Sequence, residues 1–408
     1  MSGRPGVLFH AGPSMGHSRT SKRVNTETDV LVVGGGIMGC AAAYYLAREG
    51  TDVLLVERGE LNAEGSGVNA GSLHVQLPSS LFHENEDAMI EARAQTTPLR
   101  LEAIRTWREL AGDLDDDIEL AVTGGLMVAV TESQLCFLET KMARERHYGA
   151  TVELVTGPAL FALAPYLSER VLGAEFCALE GRINPTLATP ALWRAAVRAG
   201  ARLWHGTELL ALEWASGSFV AATSRARIRC SRVVNAAGPW SGEIARMAGF
   251  SIPVGAVILH MNVTEPAAPF LGHLVQHAGA RLTAKQATNG NLLIGGGWPA
   301  RGESALGHVE VGRESMERNL GVAQSVIPDV ARLRLIRCWA GRNIVGDNLP
   351  VLGPVPGVPN FFNAVTGTGY TGGPVSARLL ADVMAGRDPS FDIQPYSVGR
   401  FARAAATG

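Results

Sequence analysis

The pattern of apolar and polar positions is clearest between Asp29 and Gly59, in the run DVLVVGGGIMGCAAAYYLAREGTDVLLVERG. Val30 to Val33 is a short apolar run with no polar alternation, which predicts a strand buried on both faces. Three glycines follow, then an alanine-rich stretch from Ile37 to about Glu49 that reads as a helix closed by Gly50. Val53 to Val56 predicts a second strand, ended by Glu57. Further along, Leu101 to Leu110 has helical spacing, while Gly125 to Val130 and Asn291 to Gly295 read as strands. Thr189-Pro190 is expected to open a helix at its N-cap and first turn, with Gly200 ending it. Ala201 to His205, Glu208 to Trp214, Phe219 to Thr223 and Ile228 to Cys230 then predict a β-meander, and Val233 to Asn235 a separate return strand. Near the end, Phe361 to Val365 reads as a buried strand and Gly367 to Gly373 as a glycine-rich turn. Pro374 is expected at the first position of a helix running to about Ala385, before Gly386.

The first unit carries chemistry in its spacing. Gly34, Gly36 and Gly39 stand in GxGxxG order between the first strand and the helix, and Glu57 lies 18 residues beyond Gly39. Gly34 permits a tight turn, Gly36 lets the backbone approach a pyrophosphate, and Gly39 lets helix and strand pack closely. The helix N-terminus offers N–H groups and a partial positive charge to phosphates, and an acid at the end of the second strand accepts from a ribose diol. Strand, glycines, helix, strand and acid in this order predict a dinucleotide-binding fold.

Three later segments favour FAD over NAD. After Glu57 the chain runs through a small-residue stretch, with Gly65, Ser66, Ala70, Gly71 and Ser72, that lets backbone approach a flat ring system. The return strand after the meander runs into Ala236, Ala237 and Gly238. The helix expected after Gly373 would aim its positive end at the flavin pyrimidine ring, where negative charge develops on reduction.

Composition narrows the class. In 408 residues, 46% are apolar and 18% charged, which fits a globular chain with a sizeable core. A formal net charge of -2 argues against nucleic acid or an anionic membrane as partner. The five cysteines (Cys40, Cys136, Cys177, Cys230, Cys338) form no CxxC pair, so no metal site is expected, and they point to a reducing compartment, the cytoplasm. No apolar run approaches the ~20 residues of a membrane span. Residues 1–27 are polar, lack the apolar core of a signal peptide, and are read as a disordered extension.

Taken together, VVGGGIMG, the acid in LLVERG, SGVNAGSL, VVNAAGPWSGEIARMAG, the VTEP around Thr264, NLLIGGG and DNLPVLGPVPGVPNFF resemble the D-amino-acid oxidase-like family of FAD enzymes over about residues 28 to 403. That family includes glycine and sarcosine oxidases, hydroxyproline dehydrogenase and opine oxidase β-type subunits; EGRINPTLATPALWRAA and AAGPWSGEIA are most similar to the last two. The resemblance implies an α/β fold: a Rossmann-type FAD-binding domain (a two-dinucleotide-fold flavoprotein) with a mixed-sheet α+β substrate domain. It places the FAD domain in 28–80, 178–250 and 337–390, the substrate domain in 81–177 and 251–336, and a C-terminal tail in 391–408.

The resemblance also implies site residues. Ile37, Met38, Glu57 and Arg58 would line the ADP half, and Leu209 would meet adenine through its backbone. Gly65, Ser66, Ala70, Gly71 and Ser72 would lie along the flavin, and Thr366 to Gly372, including Gly367, Thr368, Gly369, Tyr370 and Thr371, would cover its pyrimidine edge. In this family a hydride passes from the carbon beside nitrogen to flavin N5, and the protein orients the substrate. WAGRNIVGDNLP corresponds to the stretch LRPxTPDGLP, so Arg342 would bind a substrate carboxylate in a bidentate fork. Asn343 and Asn348 replace the proline and the glycine of that pattern, Asp347 is kept, and Thr368 stands where many relatives have histidine. Tyr370 would either close over the substrate or pack; His74 and His260 are further active-site candidates beside the reading of each as an ordinary core histidine. Cys338 lies two positions from Ala340, the place of a covalent flavin link, so FAD is expected to be non-covalent.

The expected function is oxidation of the C–N bond of an amino acid or secondary amine (opine, sarcosine, hydroxyproline or D-amino acid type). The alternative is a flavin-bearing subunit that relies on additional electron-transfer subunits and has little activity alone. A flavin hydroxylase is the weaker third reading, because no central Asp-Gly strand-turn is found.

Overall fold

The computed structural model describes residues 26–303, 307–347 and 349–401. Two eight-stranded sheets organise them. The first has the order Val351–Val355, Val358–Val365, Arg227–Asn235, Thr26–Val33, Val53–Val56, Arg202–Trp204, with Ser218–Thr223 and Leu209–Ala215 paired off the flank of Arg227–Asn235. Its centre is parallel: Val32 stands beside Val234 on one side and Leu55 on the other.

The unbroken apolar runs follow from burial on both faces. Val30, Val32, Val53 and Leu55 face a helical layer, where the helix Ile37–Arg48 packs against Pro185–Arg198 and Gly369–Met384. Leu31, Val33, Leu54 and Val56 face the opposite way, onto Phe219, Ile228, Ile244 and Phe361.

The second sheet has the order Leu335–Val345, Gly255–Pro266, Asn291–Gly295, Thr283–Gln286, Leu274–His277, Gly125–Ala129, Gly173–Cys177, Glu153–Thr156. It is antiparallel except where Leu274–His277 runs parallel to Gly125–Ala129. Leu126, Val128, Val275, Leu292 and Ile294 bury one face against the helix Arg313–Val326. The two-residue period then turns Met127 and Gln276 toward the opposite face, where a cavity opens.

Several sequence expectations are corrected by tertiary context. The helix read from Thr189-Pro190 begins at Pro185, capped by Asn184, whose Oδ1 accepts the Thr186 N–H at 3.0 Å, and Pro190 lies inside it. The last helix begins at Gly369, so Pro374 is interior too. A proline there has no N–H for the carbonyl four residues back. That carbonyl, of Tyr370, accepts instead from Trp107 Nε1 at 2.5 Å. Ile228–Cys230 and Val233–Asn235 are one continuous strand, whose first half pairs with the meander while its length pairs with Thr26–Val33.

Strand Leu335–Val345 pairs along its length with Gly255–Pro266, so it belongs to the second sheet although the sequence division starts the last cofactor segment at 337. Thr26 and Glu27, assigned to the extension, already sit in the first strand; residues 1–25 and Asn348 lie outside the described residues. Of the tail, residues up to 401 pack on the fold, with Tyr396 and Val398 buried and Arg400 paired to Asp347 at 2.7 Å. Among the described residues no helix is long and apolar enough to cross a membrane.

Candidate active site and cofactor cleft

Two connected cavities run between the sheets. The first is lined by Gly34, Gly36, Ile37 and Met38 from the first turn, and by Ala237 and Gly238 after the return strand. Gly369 and Tyr370 of the last turn line it as well, so the two glycine-bearing turns, far apart in sequence, converge on one slot. At the crossing the strand-to-helix approach admits no side chain. Gly34 has φ +111°, and a Cβ on Gly39 would sit 1.9 Å from the Gly34 carbonyl oxygen.

The polar groups of this slot suit a dinucleotide. Glu57 Oε2 accepts the Gly35 N–H at 2.7 Å and Oε1 the Gly59 N–H at 2.8 Å, which fixes the carboxylate at the end of its strand with lone pairs to spare. The Ile37 N–H donates to Ser66 Oγ at 3.0 Å, tying the small-residue loop to the helix start. Arg58 lies over the Trp240 ring at 3.9 Å, yet its Nη2 is buried with no partner, as is Asn62 Oδ1. Buried polar atoms of this kind are rare unless a ligand satisfies them, so the residues fit the group the sequence implies. Leu209 lines the same slot from the meander, beside Thr207.

The second cavity, of about 830 Å³, shares Gly65, Asn69, Arg342, Gly369 and Tyr370 with the first. Ala70, Ser72, Gly367, Thr368 and Thr371 line it, as do His74 and His260. Gly39 and Gly71 line neither cavity. Gly71, expected along the flavin, is a packing residue: with φ +68°, a Cβ there would lie 2.1 Å from the Ile183 carbonyl oxygen.

The four residues singled out for chemistry divide. Arg342 is buried at the junction, where its Nε and Nη2 donate to the Glu303 and Gly307 carbonyls at 3.2 and 2.8 Å and its Nη1 lies 3.7 Å from Glu64. Tyr370 does not present its hydroxyl to the chamber. That hydroxyl donates to the Pro185 carbonyl at 3.0 Å and meets Thr189 Oγ1 at 2.7 Å, while the ring stacks on Trp107. His260 Nε2 meets Ser315 Oγ at 2.9 Å, leaving Nδ1 buried without a partner.

His74 donates its backbone N–H to Thr371 Oγ1 at 3.0 Å, and its Nδ1 makes no hydrogen bond, with Glu180 Oε1 3.9 Å away. Burial, helped by the positive Lys285 and Arg100 nearby, pushes the His74 ring down to about 3. Beside it, burial pushes the Glu180 carboxyl up to about 8, although Oε1 accepts the Val75 and Gln76 N–H groups at 2.8 and 2.7 Å.

A pH dependence follows. Because folding lowers the His74 value, the unfolded chain takes up a proton below pH ~6.5 that the folded chain refuses, so the His74 contribution to stability is fully present above that pH and is lost as pH drops toward 3. His74→Gln is expected to reduce the slope of unfolding free energy against pH between 6 and 4 by up to about 1.4 kcal/mol per pH unit. Chemical denaturation across that range measures it, and equal slopes for the two proteins would count against a neutral His74.

Sequence reading missed Arg93, Arg100, Gln76 and Gln276, all of which line the chamber. It also missed Lys285, whose Nζ donates to Ser72 Oγ at 2.9 Å and whose amine burial and Arg182 hold well below its ordinary range. None of these has a spacing signal, since strand register brings in Gln276 and Lys285, helices bring in Arg93 and Arg100, and an irregular segment brings in Gln76.

The chain matches the family described as DAO, FAD dependent oxidoreductase, over residues 29–383. It is 31% identical over 389 residues to glycine oxidase of Pseudomonas aeruginosa, an alignment that covers 90% of this chain and 98% of that protein. It is 26% identical over 421 residues to sarcosine oxidase subunit beta of Rhodobacter capsulatus, covering 98% and 95%. The fold superposes on the crystal structure of glycine oxidase from Geobacillus kaustophilus with a TM-score of 0.80 at 25% identity, covering 91% of this chain and 98% of that one. With a nucleotide slot built from both turns and a family match that spans both sheets, the chain belongs to the DAO family of FAD-dependent oxidoreductases, an enzyme with FAD as its cofactor.

Proposed function

We propose that this enzyme oxidises the C–N bond of an amino acid or secondary amine bound in the larger chamber. The observation that carries the reading is the junction: the loop Gly65–Ser72 and the turn Gly367–Thr371 stand between the nucleotide slot and the chamber, and Arg342 reaches both. FAD supplies the hydride acceptor when bound. The chain's own part is to orient the amine. Arg342 provides the cation nearest the junction for a substrate carboxylate, and the neutral rings of His74 and His260 offer acceptors to a substrate N–H without adding positive charge. The names glycine oxidase and sarcosine oxidase subunit beta among the relatives support an amine substrate.

In this reading Gly34, Gly36, Ile37, Met38, Glu57, Arg58 and Leu209 hold the ADP half. The first sheet forms the FAD domain and the second the substrate domain. The FAD is taken as non-covalent in this reading, because Cys338 lies two positions from Ala340, the place of a covalent link. The alignment with 98% of a glycine oxidase supports an enzyme that works by itself over the subunit alternative. Solution mass and turnover of the purified chain, with and without co-expressed partners, separate the two.

Mixing the purified holoenzyme without oxygen with a panel of amino acids and secondary amines is expected to bleach the flavin absorbance for at least one of them. Full absorbance across glycine, sarcosine, proline, D-amino acids and iminodiacetate would overturn the reading.

A further inference from the structure

Arg100 is the chamber's other deeply buried guanidinium. It sits near the start of the helix Thr97–Asp113 and is 7% exposed. Its Nε donates to Thr96 Oγ1 at 3.2 Å and its Nη1 to the Gln76 carbonyl at 3.0 Å, which hold the fork rigid. Its Nη2 is buried with no partner at all, and the residue lines the chamber.

No neighbouring acid hydrogen-bonds to it, although the nearby Glu145 and Glu180 favour its charged form. Glu145 Oε1 is taken by Lys141 Nζ and the Leu77 N–H. Glu180 is taken by the Val75 and Gln76 N–H groups and by Gln276 Nε2. Arg93 lines the same wall, where burial and the neighbouring Arg100 hold its guanidinium well below the ordinary arginine range. A desolvated, pre-oriented guanidinium on the chamber wall, with one nitrogen left without a hydrogen bond, is a candidate carboxylate site, because an unmet charged donor is costly.

Resting on the amine-oxidation reading above, we propose that Arg100 binds a second anionic group of the substrate. Arg342 then takes the carboxylate near the junction and Arg100 the distal one, and the preferred substrate class is a secondary amine carrying two carboxylates.

The test compares matched pairs on the wild-type holoenzyme, sarcosine against iminodiacetate, by anaerobic flavin reduction. The dicarboxylate is expected to have a kcat/KM at least about tenfold higher, mainly through KM. Arg100→Gln is expected to lower the dicarboxylate-to-monocarboxylate ratio at least about tenfold, and Arg100→Lys to restore part of it. Equal wild-type efficiencies, or an Arg100→Gln variant that loses both substrates in the same proportion, would overturn the assignment.

Binding without turnover gives a separate reading: glutarate is expected to perturb the wild-type flavin spectrum at a concentration at least about tenfold lower than butyrate. Equal affinities for the two inert acids overturn the Arg100 site whether or not any amine is oxidised and whether or not the variants fold. Absence of turnover alone, with glutarate still preferred, overturns the amine-oxidation reading instead.

Discussion

Gly39→Val is expected to yield protein that retains less than about a tenth of the wild-type flavin, and much of it insoluble. A Cβ at this position would lie 1.9 Å from the Gly34 carbonyl oxygen and 3.5 Å from the Ala236 Cβ. The first contact is with backbone, at a residue whose own φ of +111° only glycine adopts without strain, so the turn has no cheap way to give. To relieve it, the helix Ile37–Arg48 must lift off the strand Thr26–Val33. That movement displaces the Ile37 N–H from Ser66 Oγ and opens the slot at its narrowest point. The expected cost exceeds the ~1–3 kcal/mol of ordinary overpacking for this reason. Gly321→Ala is the control of opposite sign. Gly321 is exposed on the helix Arg313–Val326 with nothing within 4 Å of its would-be Cβ, so alanine there is expected to stabilise by about 0.5–1 kcal/mol and leave flavin content alone. Flavin-to-protein absorbance ratios and thermal melting measure both. A Gly39→Val protein that is fully yellow and melts with the wild type would remove the steric argument.

The contrast between these two glycines also explains what was legible in the sequence. The requirement at Gly34 and Gly39 is local: a strand, a turn and a helix that meet within ten residues leave a fixed imprint on spacing. Runs such as Val30–Val33 and Val53–Val56 are legible for a similar reason, since burial on both faces removes polar positions altogether. Helix starts were misread at Pro190 and Pro374, where the rule that proline opens a helix met a tertiary exception. The Tyr370 carbonyl that Pro374 cannot serve finds its donor in Trp107, 263 residues away in sequence.

The chamber was least legible of all. In TPLRLEAIRTW, Arg100 is one of several arginines on an amphipathic helix, and nothing in the spacing separates it from Arg105, which is solvent-exposed. Only the fold, which brings the Gln76 carbonyl to its fork, turns it inward. Tyr370 is the reverse case. A tyrosine in a glycine-rich turn reads equally as a residue that closes over substrate or one that packs, and its hydroxyl is taken by Pro185 and Thr189 on the helix behind it.

Lys141→Met is expected to destabilise the protein by about 3–5 kcal/mol, because it strips the cation from a fully buried cluster. Lys141, Glu145 and Glu175 are each 0% exposed, and Lys141 Nζ lies 2.6 Å from Glu145 Oε1 and 2.7 Å from Glu175 Oε2. Burial pushes the Glu175 carboxyl well above its ordinary range, and Glu145 beside it adds to the effect. Burial acts on Glu145 in the same direction, but Lys141, the hydrogen bond from Glu175 and the Leu77 N–H outweigh it and hold that carboxyl below its ordinary range. The cluster therefore sets one cation between two carboxyls that are driven in opposite directions, with negative charge favoured on Glu145. Without Lys141 the anion on Glu145 is uncompensated, and its folded value rises above the unfolded one. The deficit must then shrink as pH falls, since protonation of Glu145 becomes easier in the folded chain than in the unfolded one. Lys141→Met combined with Glu145→Gln removes both charges while Gln keeps an acceptor for the Leu77 N–H, so it is expected to recover most of the loss. Leu77 adjoins Gln76, whose carbonyl orients Arg100, so the single variant is also expected to raise KM for the substrate more than it lowers kcat. Urea unfolding of the three proteins at pH 7 and pH 5 is the measurement. A Lys141→Met midpoint equal to the wild type at pH 7 would mean the cluster contributes nothing to holding that wall of the chamber.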